Sequence, residues 1–321
     1  MTQSPLDASV VICAYTEGRW DDLVAAVESV QRQSVRAREI IVVVDHNPRL
    51  LERARAGLAN VVVVENKEPR GASGSKNSGA LAARGAIVAF LDDDAEARPD
   101  WLAQLLAAYT SPDVLGVGGA IEPRWPGARP NWFPDEFNWV VGCTYRGLPE
   151  RRAPVRNLIG ANMSFRREVF DEVRLYHEIG HIGARPFGGS DPDFCIRVGR
   201  HWPKKILLYE PGARVYHRVS ATRARLGYFR LRCYNEGLSK SMLTRRVGVQ
   251  AGLSSERSYT LRTLPRGVLR GLADVLAHGD GWGLARACTI VAGLTITLSG
   301  YAIGSIAQLA APKRMPESEA A

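Results

Sequence analysis

In the stretch AIVAFLDDDAEARPDWL, residues 86–102, an apolar run ends in three adjacent carboxylates, Asp92, Asp93 and Asp94. The apolar run has the length and composition of a buried strand. Neighbouring like charges repel, so the cluster costs free energy unless a cation, a ligand or open solvent offsets it. We therefore expect a ligand at the end of this strand. The simpler alternative, an acidic helix start before Pro99, would explain one of the three carboxylates.

The segments before residue 86 repeat this arrangement. Short β-branched runs alternate with amphipathic stretches, which is typical of βαβ units and a parallel sheet. The predicted strands are SVVICAY (9–15), EIIVVVD (39–45) and NVVVVEN (60–66), and Trp20–Gln33 is predicted to be a helix. Polar groups follow the strands at Thr16 and Glu17, at 45–47, at 65–67 and at 92–94. Ligands bind beyond the carboxyl ends of parallel strands, so we expect these groups to line one crevice.

The sequence lacks several motifs, and their absence weighs against some classes of enzyme and some kinds of site. No Gly-x-Gly-x-x-Gly follows the first strand and no Gly-Lys-Ser/Thr loop occurs, which weighs against a dinucleotide oxidoreductase and a P-loop nucleotidase. The 5 cysteines form no Cys-x-x-Cys pair, which argues against a zinc site and for a reduced compartment. No basic segment precedes the first apolar run, so a secretory signal is not expected. These observations predict a cytoplasmic body.

The formal charge of +9 is concentrated in one part of the chain. Residues 196–286 contain 18 Lys and Arg against 5 Asp and Glu, whereas residues 1–195 contain 22 against 26. Such a basic region indicates nucleic acid, anionic lipid or a phosphorylated substrate as a partner, and a merely solvated surface is the alternative.

The C-terminal region allows three arrangements. RTLPRGVLRGLADVL (262–276) has the pattern of a basic amphipathic helix, and residues 287–312 contain no charged side chain. The uncharged segment is long enough to cross a bilayer but contains Thr, Ser, Gly and Gln. The region could span a membrane, lie on an anionic inner leaflet, or pack on the core as ordinary helices.

The middle of the chain is less regular. WPGARPNWFPDEFNWVVGCTY (125–145) is rich in aromatic residues and is either a cover for the core or a wall of an acceptor site. Residues 156–170 are predicted to be a strand leading into a helix, and residues 187–200 a Gly-rich turn leading into another helix.

Six motifs in order resemble the family 2 glycosyltransferases over about residues 8–240. They are VVICAYTEG (10–18), IIVVVDHNP (40–48), GASGSKNSGALAARG (71–85), VAFLDDDAEARPDWL (88–102), GANMSFRREVF (160–170) and GGSDPDFCIR (188–197). The resemblance implies the α/β fold called GT-A, a Rossmann-like, mostly parallel sheet flanked by helices. It implies a glycosyltransferase domain at 1–245, with a nucleotide-sugar half at 8–115 and an acceptor half at 116–245. Residues 246–321 are then a helical extension.

The resemblance also implies a divalent-metal cofactor, Mn²⁺ or Mg²⁺, at the carboxylate cluster. Asp94 is then the metal ligand, and Asp92 or Asp93 faces the ribose or a metal-bound water. His217 in RVYHRV (214–219) resembles the late histidine that closes the metal or diphosphate site in many enzymes with this fold. A purely structural histidine is the alternative.

The same resemblance assigns the nucleotide-sugar site. Thr16, Glu17 and Asp45 would hold the base and ribose, and a carboxylate that accepts from an imide N–H favours uridine. Lys76 and Asn77, in a Gly/Ser-rich turn at a helix start, would bind the phosphates. The alternatives are a helix cap for Asp45 and a solvent-facing Lys76.

Asp191 aligns with the usual general base of the family. Ser190 stands where the family more often has Glu, so a role for a carboxylate before the base is not expected here. A helix cap next to Pro192 is the alternative for Asp191. The QxxRW motif of processive members is missing, and YFRLRCYNEGLSKSML (228–243) stands in that region. We therefore expect one transfer in each encounter, and the resemblance implies inversion at the anomeric carbon by direct displacement.

The resulting hypothesis is an inverting, metal-dependent transferase that moves one sugar from a nucleotide sugar, with UDP favoured, to an acceptor. The acceptor could be a polyprenyl or dolichyl phosphate, a cell-envelope glycan or a soluble secondary metabolite. A nucleotidyltransferase is a second enzyme class, and it would release pyrophosphate instead of a nucleoside diphosphate. A nucleic-acid-binding protein that uses the basic region is a non-enzymatic alternative, although few aromatic residues are interleaved with its cations.

Overall fold

The computed structural model describes residues 6–173, 175–177, 181–182, 185–186 and 189–310. The strands are β1 Ala8–Ala14, β2 Glu39–Val44, β3 Val62–Glu65, β4 Ile87–Asp92, β5 Ala95–Ala97, β6 Val114–Arg124, β7 Ala153–Val155, β8 Asn162–Arg166, β9 His181–Ile182, β10 Arg185–Pro186 and β11 Ile206–Arg218. Each strand predicted before residue 95 is confirmed to within two residues at either end.

Helices flank these strands along the chain. They are α1 Trp20–Gln31, α2 Pro48–Gly57, α3 Ala72–Ala82, α4 Trp101–Ala107, α5 Glu168–Glu172, α6 Ser190–His201, α7 Leu226–Val247, α8 Val249–Gly252, α9 Ser254–Ser258, α10 Leu264–His278 and α11 Trp282–Ala310. Short 3₁₀ segments cover Glu17–Arg19 and Asp135–Val141, and a π-helical segment covers Tyr259–Thr263.

Within the described ranges, nine strands form one sheet in the order β3-β2-β1-β4-β8-β6-β11-β5, with β7 paired to β11. The strands β3, β2, β1 and β4 are parallel, and β11 is parallel to β6. The strand β8 lies antiparallel between β4 and β6. This mixed sheet is mostly parallel, so β4 and β11 end at the same edge.

The central strands are buried on both faces, which explains their nearly continuous apolar sequences. In β1, Val10 and Ile12 face one side of the sheet, where helices α1, α2 and α4 pack. Val11 faces the other side, and so does Phe90 of β4, towards the core that includes α6. Because side chains alternate along a strand, both cores fix the register of β1.

The strand β6 was not predicted from its sequence. Its sequence, VLGVGGAIEPR, contains Gly116, Gly118 and Gly119, and glycine lowers strand propensity. Here the glycines admit close neighbours: a Cβ on Gly119 would lie 1.9 Å from the Ala213 carbonyl oxygen, and one on Gly116 would lie 2.7 Å from the Phe165 ring. Packing thus requires residues that propensity disfavours.

The C-terminal helices pack on the sheet domain with one face and leave the other face exposed. Helix α11 lies along α7, and the Phe137 ring contacts the position of Gly293. The predicted basic amphipathic helix is found as the π-helical segment followed by α10. Within the described residues one helix, Trp282–Leu309, has the length and hydropathy (28 residues, 1.6) to cross a membrane.

Candidate active site

The end of β4 brings the carboxylate cluster to a histidine from the far end of the sheet. The strand β5, which follows Asp94, pairs antiparallel with β11 so that Ala95 lies opposite His217. The Arg218 backbone N–H donates to the Asp94 carbonyl oxygen at 2.8 Å. Pairing of two strands more than a hundred residues apart therefore places the imidazole beside the acidic cluster.

Asp92, Asp94 and His217 form a group that could hold a cation. His217 Nε2 lies 3.1 Å from Asp94 Oδ1 and 4.0 Å from Asp92 Oδ2. One potential ligand atom from each of the three residues lies within 4.8 Å of the others. Two carboxylate oxygens and one imidazole nitrogen suit a divalent cation such as Mn²⁺, and carboxylates also suit Mg²⁺. The residues present thus fit the predicted metal.

The second nitrogen of His217 faces a thiol that the sequence did not single out. Cys143 Sγ lies 3.8 Å from His217 Nδ1, and both side chains are buried. Burial lowers the pKa of His217, but the hydrogen bonds and charges of Asp94 and Cys143 together outweigh it and raise that pKa to about 10. His217 therefore has a polar partner at each ring nitrogen.

Asp93 points away from this cluster and towards Arg19. Arg19 Nη1 lies 2.8 Å from Asp93 Oδ1 and 3.1 Å from Asp94 Oδ2, so one guanidinium holds two carboxylates. Burial raises the pKa of Asp93 to about 7 against the charge of Arg19. Asp93 Oδ2 is buried without a hydrogen-bond partner among the described residues. The predicted role of Asp93 towards ribose or a metal-bound water stays a prediction.

Lys76 and Asp191 form a second polar centre. Lys76 Nζ lies 2.6 Å from Asp191 Oδ1, and only 9% of the lysine side chain is exposed, against 23% of the aspartate side chain. Burial lowers the pKa of Lys76, but Asp191 and Asp92 outweigh it and raise that pKa. The lysine is thus a buried cation, not the solvent-facing residue of the alternative hypothesis.

Gly160 makes room for this pair. A Cβ at Gly160 would lie 2.3 Å from Asp191 Oδ2 and 2.6 Å from Lys76 Nζ. Asp191 is in the first turn of α6, as predicted, and Gly188 of the quoted motif lies outside the described residues. The neighbouring carboxylate, Asp193, accepts from Arg197 Nε at 2.9 Å and is buried. Of these two aspartates, Asp191 is the one that meets Lys76.

Asp45 anchors the turn before α3. Its carboxylate accepts hydrogen bonds from Asn66 Nδ2 at 2.7 Å and from the Gly71 backbone N–H at 3.0 Å. His46 Nδ1 lies 2.9 Å from the same carboxylate. Asp45 does not cap α2. The cap is Asn47, whose side chain accepts a hydrogen bond from the Leu50 N–H at 3.1 Å. An ionised carboxylate offers about four lone-pair sites, so Asp45 retains capacity for a further donor.

Of three other predicted site residues, Thr16, Glu17 and Asn77, the first and the last have structural contacts. Thr16 accepts from the Gly18 N–H at 3.3 Å and caps the short segment that begins with Glu17. Asn77 pairs both of its polar atoms with the backbone of Tyr176, at 3.0 and 2.8 Å. These contacts position the loops around the site, and the predicted nucleotide contacts of the three residues stay predictions.

The predicted site residues approach one another around Cys13, near the end of β1. Burial raises the pKa of its thiol, and the charges of Lys76, Asp92 and Asp45 all act on it. Asp92 in turn interacts electrostatically with Lys76 and Asp191. The two polar centres therefore share one crevice at the carboxyl edge of the sheet, as expected for an open α/β sheet.

Comparisons with known proteins agree with this architecture. The model of the family described as "Glycosyl transferase family 2" matches residues 9–174. A glucosyl-dolichyl phosphate glucuronosyltransferase of Haloferax volcanii is 36% identical over 243 residues, covering 74% of this chain and 77% of that protein. The succinoglycan biosynthesis protein ExoM of Rhizobium meliloti is 24% identical over 251 residues, covering 76% of this chain and 77% of its own length.

Two solved structures share the fold. A mannosyltransferase of Pyrobaculum calidifontis in complex with GDP-Man and Mn²⁺ is 15% identical, with a TM-score of 0.59 over 92% of this chain and 88% of that one. GalNAc-T7 with UDP, GalNAc and Mn²⁺ is 19% identical, with a TM-score of 0.52 over 80% of this chain and 55% of that one. The predicted GT-A fold is confirmed. From the family match over more than half of its length, this chain belongs to glycosyl transferase family 2 and is a glycosyltransferase.

Proposed function

We propose that this chain transfers one sugar, with inversion, from a nucleotide sugar to a hydroxyl group of a lipid-linked acceptor in a metal-dependent reaction. The observation that carries the proposal is the pair of neighbouring centres, the Asp92, Asp94 and His217 group and the pair formed by Lys76 and Asp191. One centre suits a diphosphate leaving group, and the other provides a carboxylate for a proton.

Asp92, Asp94 and His217 would hold the divalent cation. When bound, such a cation neutralises the negative charge that develops on the departing diphosphate. Lys76 is a buried cation close to the same centre and would contact a phosphate oxygen. These residues would therefore interact with the leaving group and not with the acceptor.

Asp191 would accept the proton of the attacking hydroxyl. Direct displacement at the anomeric carbon needs one base, and a single carboxylate in that role gives inversion. An acceptor that attacks through an ionised phosphate oxygen has no proton to lose and needs no such base. The presence of Asp191 therefore favours a hydroxyl acceptor, such as a sugar that is already attached to a lipid phosphate.

The lipid-linked class of the acceptor is supported by the Haloferax volcanii relative, whose name specifies glucosyl-dolichyl phosphate as its substrate. A uridine donor is supported by Asp45, which retains acceptor capacity for an imide N–H. The five cysteines among the described residues are free, in keeping with a reducing compartment. We place the enzyme at the cytoplasmic face of a membrane.

A donor and acceptor screen tests the proposal. Purified full-length protein is incubated with UDP-, GDP- and dTDP-sugars in Mn²⁺, Mg²⁺ or EDTA, and release of the nucleoside diphosphate is measured. We expect UDP release that requires the cation and increases with a glycosylated short-chain polyprenyl phosphate. NMR of the product should show the anomeric configuration opposite to that of the donor. Release of pyrophosphate, or equal turnover in EDTA, would contradict the proposal.

A further inference from the structure

Apolar side chains are exposed along the C-terminal helices. Of the nineteen large hydrophobic residues that are exposed in the described part of the chain, eleven lie between positions 261 and 309. They are Leu261, Leu269, Leu272, Leu276, Trp282, Leu284, Val291, Leu298, Ile303, Ile306 and Leu309. We call these residues the apolar face. Singly exposed apolar residues are ordinary in soluble proteins, but a large apolar surface commonly marks an interaction site.

The apolar face of α11 lies opposite the side that packs on the protein. Leu284, Val291 and Leu298 follow at intervals of seven residues, so they lie on one side of the helix. The positions that touch the rest of the protein, which include Gly293 and Gly300, lie on the other side. Helix α11 is therefore amphipathic by its environment, although it has hardly any charged residues.

The packed side of α11 runs along α7 at very short range. A Cβ at Gly237 would lie 2.1 Å from the Thr297 carbonyl oxygen, and one at Gly300 would lie 2.2 Å from that of Tyr234. Farther along, Gln308 Nε2 donates to Ser241 Oγ at 2.9 Å. The two helices are thus in contact over most of the length of α7, and their directions are linked.

Helix α7 carries a network of charges. Lys240 Nζ lies 3.5 Å from Glu236 Oε1 and also contacts Glu256, while Arg156 lies 3.0 Å from Glu256. If α11 crossed a bilayer in this arrangement, α7 and its ion pairs would enter the hydrocarbon region. Charged side chains there are costly. The packing therefore opposes a transmembrane orientation of α11.

We propose that the apolar face inserts into one leaflet of an anionic bilayer, with α11 parallel to the membrane surface. This inference rests on the proposed function, because a lipid-linked acceptor gives the enzyme a reason to bind a membrane. It goes further by naming the residues that contact the lipid. Basic residues adjoin the face: Arg262 and Arg266 are exposed at the start of α10, and Leu269 and Leu276 follow on the same side of the helix. Cations beside apolar side chains match anionic headgroups above acyl chains.

A second copy of the chain fits the face less well. Two copies that pair through α10 would bring the arginines of one near those of the other, and like charges repel. A lipid leaflet offers anionic groups and apolar depth together. The choice of a leaflet follows from this charge complementarity.

The apolar face is connected to the active site through the 3₁₀ segment Asp135–Val141. Arg270 of α10 donates to Glu136 Oε1 at 2.8 Å, and Tyr259 Oη donates to the Glu136 carbonyl oxygen at 2.7 Å. The same segment leads to Cys143, which contacts His217. The apolar face is therefore linked by direct contacts to the segment that leads to the metal group.

Flotation of full-length protein with vesicles tests the surface. We expect binding to phosphatidylcholine vesicles with 30% phosphatidylglycerol at low salt and at least tenfold weaker binding without the anionic lipid. The double variant Leu298→Gln, Ile306→Gln should lose at least tenfold in partitioning, whereas Leu81→Gln, an equally exposed leucine on α3, should bind as the parent does. Failure of the parent to float would overturn the inference.

Spin labels at positions 284, 291, 298 and 309, each in a Cys288→Ser background, separate the two orientations. A surface helix predicts similar oxygen accessibility at all four positions, whereas a span predicts a maximum near the middle. A maximum would overturn the inference, as would a concentration-dependent dimer that the double variant abolishes. If binding fails while transfer to a short-chain acceptor persists, the surface is wrong and the proposed function stands.

Discussion

Lys76 Nζ lies 2.6 Å from Asp191 Oδ1, so the cation proposed for the diphosphate holds the carboxylate proposed as the base. The two opposite charges form a charge-assisted hydrogen bond, which fixes the position of the carboxylate. When a diphosphate arrives, it competes with Asp191 for the same ammonium. Donor binding would then release the base, which links the order of substrate binding to the state of the site.

The Asp191→Asn variant should bind donor with near-normal affinity and lose about 10²–10⁴-fold in transfer, since a positioned base contributes this much. Donor affinity is measured by calorimetry, and transfer by release of the nucleoside diphosphate. Asp193→Asn is the matched control, because the Asp193 carboxylate already accepts a hydrogen bond from Arg197. If transfer persists in Asp191→Asn and disappears in Asp193→Asn, the base is the other carboxylate.

The Asp94→Asn variant should fold and bind Mn²⁺ more weakly, because the change removes a charge and replaces a carboxylate with a weaker amide ligand without changing the volume. In the parent, Mn²⁺ at about 100 times its dissociation constant should stabilise the native state by about 2.7 kcal/mol. Thermal unfolding with and without the metal measures this shift. The exposed Asp113→Asn should keep the full shift, and an unchanged shift in Asp94→Asn would remove Asp94 from the metal group.

Cys143 should position His217, because its sulfur lies 3.8 Å from Nδ1 and can accept a hydrogen bond from an Nδ1–H group. Loss of such an outer partner typically weakens metal affinity by about 10–100-fold. We expect Cys143→Ala to weaken Mn²⁺ binding, measured by electron paramagnetic resonance, and Cys143→Ser to restore much of it. The buried Cys233→Ala serves as a control for lost core volume. Equal losses in Cys143→Ala and Cys143→Ser would assign Cys143 to packing alone.

Gly160→Ala should separate Lys76 and Asp191, since its Cβ would lie within 2.6 Å of both side chains. We expect transfer to fall at least as far as in Asp191→Asn. Gly199→Ala on α6 is the control: its Cβ meets nothing within 4 Å, and Ala stabilises a helix by about 1 kcal/mol over Gly. Activity and melting temperature are measured for both variants, and a fully active Gly160→Ala would show that the pair is dispensable.

The sequence predicts best those parts of the fold whose causes are local. The strands β1, β2 and β4 are apolar runs that are mostly buried, and β3 is a short run of valines at the edge of the sheet, so composition alone identifies them. Asp92 and Asp94 could be selected from one short motif at the end of such a strand. That His217 lies near these two residues could be predicted from the family resemblance and from the rule that the ends of parallel strands converge.

The parts that escaped prediction depend on distant contacts. Arg19 follows Glu17 closely in the chain, but its partner Asp93 is 74 residues away, and no local pattern links the two. Cys143 meets His217 across a similar separation, inside an aromatic stretch that allowed two interpretations. Asn77 has the composition of a phosphate ligand, yet its partner is the backbone of Tyr176.

The strand β11 contains a bulge, because Glu210 pairs with Gly119 and Arg214 pairs with the next residue, Ala120. A chain shorter by one residue here could keep the bulge only by drawing Arg214 into it. Arg218 would then stand opposite Ala95, where His217 stands now. A guanidinium would then pair with the carboxylates in place of the imidazole. The number of residues in the bulge, and not only their identity, therefore sets which side chain stands beside Asp92 and Asp94.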